Sequence, residues 1–142
     1  MKTTFRENSL WASTITTIII FSWYFTKVFI ALGDPNFEQN YLIGLFVGVM
    51  VLVTIIQIVM QTLLAATSRK EAGRKDDERE RMIELKATRV SHYILVLGVW
   101  VTVLGIFFKP TALVMGNTIL FFFVLSEIVG YVIQLIQYRR GI

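Results

Sequence analysis

Four long apolar runs, separated by brief polar breaks, organise the chain: residues 10–32, 41–67, 90–108 and 111–138. Each is near the ~20 residues that a helix needs to cross a hydrocarbon core of ~30 Å. The second and fourth are longer than that, so they are expected to tilt or protrude. Backbone N–H and C=O groups cannot stay unpaired in lipid, so the runs are predicted to be helices. Gly33-Asp34-Pro35-Asn36 reads as a helix stop followed by a turn, and Lys109-Pro110 breaks the chain between the third and fourth runs. Both connections are short, so each half is predicted to be a tight helical hairpin. The expected fold is an all-α membrane protein, a four-transmembrane-helix bundle of two hairpins forming a single membrane domain over residues 1–142.

The one long polar stretch, residues 68–89, joins the two halves and carries Arg69, Lys70, Arg74, Lys75, Arg79, Arg81, Lys86 and Arg89. The tails add Lys2, Arg6, Arg139 and Arg140, whereas the two short loops contribute only Lys109. Lys27, inside the first run, can snorkel outward. Basic residues favour the cytoplasmic side, so both termini and the central stretch are expected there. The stretch also has helical features. Asp76, Asp77, Glu78 and Glu80 crowd its start, where a helix dipole favours acids. Asp77 and Arg81 are four residues apart and can pair. Met82, Ile83 and Leu85 supply an apolar side. This helix is expected to run into the third membrane helix, with Gly73 as the break from an extended second helix.

Composition agrees and excludes several chemistries. The chain is 55% hydrophobic over 142 residues, above the roughly 45–50% of soluble domains. With no cysteine and one histidine, thiol nucleophiles, disulfides, zinc clusters and multi-histidine metal sites are excluded. No cofactor is expected. The first run is too long for a signal-peptide core and lacks a small-residue cleavage site. The net charge of +4 comes mainly from the central stretch and the tails, so it reports topology before anything else. A weak internal repeat at an offset of 77 residues aligns Trp23 with Trp100, Val47 with Val124, Ile56 with Ile133 and Gln57 with Gln134.

Glu127 is the polar residue that most needs an account, because it lies eleven residues before Tyr138 within an apolar run. At 1.5 Å per residue that is about 16 Å deep, and an intramembrane carboxylate is a functional candidate by default. Its sharp reading is a proton- or cation-linked site; its plain reading is a hydrogen-bonded acid that fixes helix packing. Tyr131, Gln134 and Tyr138 follow on the same helix face. Thr54, Gln57 and Gln61 share a face of the second helix, and His92 opens the third. These are expected to meet in the inner half of the bundle, and interhelical hydrogen bonding is the simpler account of them. Gly44-Leu-Phe-Val-Gly48 is a G-x-x-x-G pattern, and Ser91, Gly98, Thr102 and Gly105 form a small-residue stripe. Both patterns serve close helix packing, within the monomer or, alternatively, at a homodimer face.

The central stretch admits three roles: a solvated, topology-setting segment, a contact for anionic lipid headgroups through Arg74, Lys75, Arg79, Arg81, Lys86 and Arg89, or a docking element for a soluble partner. Direct nucleic-acid binding is not expected, since acids interleave with the bases and no aromatic platform is present. The run Asp77-Glu78-Arg79-Glu80-Arg81-Met82-Ile83-Glu84-Leu85-Lys86-Ala87, leading into a membrane helix, resembles a domain-of-unknown-function family of small bacterial and archaeal four-helix membrane proteins with a D-E-R motif before the third helix. That resemblance implies a regulatory partnership in the cytoplasm and brings no catalytic residues. The expected function is a non-enzymatic regulatory or interaction protein of a prokaryotic cytoplasmic membrane; a small oligomeric transporter or channel subunit with Glu127 in the pathway is the alternative.

Overall fold

A computed structural model describes residues 5–34, 38–67 and 78–140. Four helices account for nearly all of them: α1 (Phe5–Leu32), α2 (Gln39–Thr67), α3 (Glu78–Gly105) and α4 (Ala112–Arg140). Each is long and apolar enough to cross a membrane. The chain divides into two compact units, Met1–Arg74 holding α1 and α2, and Lys75–Ile142 holding α3 and α4.

α3 is one uninterrupted helix that joins the charged residues 78–89 to the apolar run. Glu78 and Glu80 occupy its first turn, where the positive end of the helix dipole favours them. The expected break at Gly73 and the Asp77–Arg81 pair involve residues 68–77, which lie outside the described residues. At its other end α3 tightens into a 3₁₀ turn, Ile106–Phe108. Lys109 then adopts the left-handed conformation, at φ 52°, and donates its N–H to the Ile106 carbonyl at 2.9 Å. Pro110, which has no N–H to continue the ladder, completes the break.

Packing within each unit leaves much large apolar surface facing outward. On α1 the buried line is Thr14, Thr17, Phe21, Tyr24, Val28 and Ala31, alternating three- and four-residue steps as in a coiled-coil seam. Ile15, Ile18, Ile19, Trp23, Phe29 and Ile30 are exposed between them. In the second unit the buried positions include Ala87, Gly98 and Thr102 on α3 and Ser126 and Gly130 on α4. Small and hydroxylated side chains share the packed faces with Phe21, Tyr24, Leu42, Leu120 and Val124, while many large apolar side chains face outward. That distribution suits lipid, which is as apolar as leucine, so that helix pairing depends on close approach rather than on hiding apolar surface.

The hydroxyl-bearing residues are made compatible with an apolar span within their own helices. Thr14, Thr26, Thr54, Thr62, Thr102 and Thr118 each donate to the carbonyl four residues earlier, at 2.7–2.9 Å. Among the described residues no buried side-chain nitrogen or oxygen lacks a hydrogen-bond partner.

The 77-residue offset does not carry the burial pattern through the chain. Val49 and Ser126 are both buried, and Gln57 and Gln134 are both half-buried, but Tyr24 and Ala31 are buried where Val101 and Phe108 are exposed, and Val47 is exposed where Val124 is buried.

Candidate functional site

The polar face of α4 is built by helical spacing. Glu127, Tyr131, Gln134 and Tyr138 stand one turn apart and are all half-buried. Towards the other end of the helix the same face continues as Val124 and Leu120, both buried. Glu127 thus marks where an apolar seam gives way to a polar one. Tyr131 stands one turn from Glu127, near enough for its hydroxyl to interact with the carboxylate. The two belong to a single helix, and part of the acid stays accessible.

The close contact between α3 and α4 lies beside this face. Ser91 Oγ donates to the Ser126 carbonyl at 2.8 Å. The hydroxyl fits there because residue 130 is glycine: a Cβ at Gly130 would stand 2.5 Å from Ser91 Oγ. One residue along, His92 is exposed and its ring lies 6.4 Å from that of Tyr93, so it belongs to the outward side of α3. Ser91, not His92, is the residue of this turn that engages α4.

Gln57 finds its partner inside the first unit. Ser13 Oγ donates to Gln57 Oε1 at 3.2 Å, and Thr16 Oγ1 points to Met60 Sδ at 3.7 Å. Thr54 is exposed and bonded to the Met50 carbonyl of its own helix. The Gln61 side chain lies outside the described residues. The residues expected to form one polar cluster are therefore divided between two units, Gln57 in one and Glu127, Tyr131, Gln134 and His92 in the other.

The glycines also separate. Gly98 faces the Cβ and Cγ atoms of Phe122, so it is a true contact point. No atom lies within 4 Å of where a Cβ would stand at Gly44, Gly48 or Gly105. Sequence reasoning passed over Gly130, although Ser126-Glu-Ile-Val-Gly130 is itself a small-x-x-x-small pattern that could have revealed it. It also passed over Ser13, which is buried opposite Gln57.

Of the basic residues, Arg79, Arg81, Lys86 and Arg89 are exposed along the start of α3. Arg74 and Lys75 lie outside the described residues. On the same segment Ile83 and Ala87 are buried while Met82 and Leu85 remain exposed. Among the described residues no three His, Cys, Asp or Glu side chains converge to hold a metal ion. Comparison with models of protein families, with characterised proteins and with solved structures returns no match.

Proposed function

We propose that this is a multi-pass protein of a prokaryotic cytoplasmic membrane, built as two helical hairpins with both termini in the cytoplasm, that acts without catalysis by presenting its charged central segment to a cytoplasmic regulatory partner. The observation that carries this reading is the continuity of α3. The charged segment is rigidly joined to a membrane-spanning helix, and Ile83 and Ala87 are buried on one side of it. Its opposite side offers Met82 and Leu85 among Arg79, Arg81, Lys86 and Arg89. An apolar pair inside a charged rim is the composition of a docking surface, with the rim steering encounter and the centre supplying affinity. Contacts pairing Ser91 with residues 126 and 130, and Gly98 with Phe122, support the hairpin arrangement of the second half.

The test is photo-crosslinking in intact cells, with a crosslinking amino acid at Leu85 and, as a control, at Val103 in the apolar run. A discrete protein adduct at 85, absent at 103 and lost with Arg81→Glu plus Arg89→Glu, is the expected result. Indistinguishable adducts at the two positions would exclude the docking role.

A second reading, an oligomeric transport or channel subunit, draws on the half-exposed Glu127–Tyr131 pair within an apolar span. There Glu127→Gln abolishes cation flux into proteoliposomes; equal flux from both proteins excludes that role.

A further inference from the structure

The turn between α1 and α2 holds an open pocket of about 410 Å³ lined by Lys27, Ile30, Ala31, Asp34, Glu38 and Tyr41. That volume is within the ~300–1,000 Å³ of small-molecule sites. Lys27, Ile30 and Ala31 come from the last turns of α1, Asp34 and Glu38 flank the turn, and Tyr41 is in the first turn of α2. Two backbone bonds hold the flanks: Asp34 N–H to the Ala31 carbonyl at 3.2 Å and Tyr41 N–H to the Glu38 carbonyl at 3.0 Å.

The pocket stands where two apolar spans end, the level that lipid headgroups occupy whichever leaflet the turn faces. Its polar side chains are all exposed, while Ala31 is buried at its base. The connection between α3 and α4 carries Lys109 and no carboxylate, so a pair of acids is not needed to join two such helices.

The charge pattern selects the ligand. A bare anion drawn to Lys27 meets two carboxylates, and a bare cation drawn to those carboxylates meets an ammonium. A ligand carrying a phosphate and an ammonium on a short link matches the sign of all three groups, and an attached acyl chain continues along the apolar wall of Ile30. We propose that this pocket binds the ammonium–phosphate headgroup of an ethanolamine phospholipid, with Lys27 on the phosphate and Asp34 and Glu38 on the amine. The site is independent of any cytoplasmic partner of the central segment. A soluble phosphoethanolamine has the same polar chemistry, and the location at the end of two membrane spans favours the lipid.

The experiment is native mass spectrometry of the full-length protein released from detergent. It is titrated with dioleoyl phosphatidylethanolamine, with dioleoyl phosphatidylglycerol and with O-phosphorylethanolamine. Two exposed ion pairs of modest strength give an ethanolamine-over-glycerol preference of about fivefold. Lys27→Gln weakens binding of both lipids, which share the phosphate, and leaves the preference in place, whereas Asp34→Asn with Glu38→Gln removes it or shifts it towards phosphatidylglycerol. Failure of O-phosphorylethanolamine to bind supports a bilayer ligand, while its binding as tightly as the lipid would overturn the lipid assignment. Equal retention of the two lipids by the unaltered protein would overturn the site altogether, a result that does not depend on any variant folding.

Discussion

Gly98 of α3 stands directly against Phe122 of α4, so close that a Cβ at position 98 would overlap the Cβ and Cγ of the phenylalanine. The obstructing atoms are at the root of the Phe122 side chain, so a rotamer change cannot clear them; the helices themselves must move apart.

Gly98→Ala is therefore expected to destabilise the protein by about 1–3 kcal/mol, the usual cost of overpacking. Gly48→Ala, where nothing lies within 4 Å, removes a flexible helical glycine and adds no clash. It is expected to leave stability unchanged or raise it by up to ~1 kcal/mol. Thermal unfolding in detergent distinguishes the two, and equal effects would show that Gly98 is not a packing contact.

Ser91 and Gly130 form a second contact that a double-mutant cycle can isolate. Gly130→Ala displaces the Ser91 hydroxyl from the Ser126 carbonyl and is expected to cost about 1 kcal/mol or more. Adding Ser91→Ala removes the obstructing oxygen, and the remaining Ser91 Cβ would lie 3.8 Å from the new Cβ, an ordinary contact. The double variant is then expected to be more stable than the sum of the single changes implies, a coupling of the size usual for touching residues. Strict additivity would contradict the contact.

Ser13 and Gln57 offer the parallel test in the first unit. Gln57→Leu is expected to cost about 0.6 kcal/mol, the typical worth of an interhelical hydrogen bond in a membrane protein. In a Ser13→Ala background the same change should cost less, since the bond is already gone.

Lys109 bears the left-handed conformation with a full side chain. Placing an L-residue there costs roughly 1–2 kcal/mol that glycine avoids, against some loss of chain entropy. Lys109→Gly is thus expected to raise the melting temperature modestly. A fall would indicate that the lysine side chain contributes more than its backbone costs.

Orientation can be read cleanly because the chain has no cysteine. The proposed orientation, with both termini in the cytoplasm, predicts that Lys109→Cys is labelled by an impermeant maleimide in intact cells, whereas Arg139→Cys is labelled only after permeabilisation. The reverse pattern would invert the topology.

Legibility of the candidate site from sequence was uneven, for an identifiable reason. The Glu127–Tyr131–Gln134–Tyr138 face follows from spacing alone, because residues four apart on a helix are neighbours whatever surrounds them. The partners of Gln57 and Ser91 depended on helix registration, which no spacing within one segment contains. The glycines make the same point. G-x-x-x-G marks Gly44 and Gly48 as suited to close approach, yet the approach occurs at Gly98 and Gly130.

Sequence by itself determined the number, type and extent of the helices. Twenty or so apolar residues in lipid leave the backbone no alternative to satisfying its own hydrogen bonds. It also determined the acids opening α3 and the break at Lys109-Pro110, which are local effects of the helix dipole and of proline. Only the tertiary structure decided which face of each helix packs. In water the apolar stripe would have announced that face, but in these spans isoleucine, valine and phenylalanine surround the helix on all sides. Small residues and hydroxyls that let backbones approach mark part of each packed face, beside Phe21, Tyr24, Leu120 and Val124, and the fit depends on the neighbouring helix.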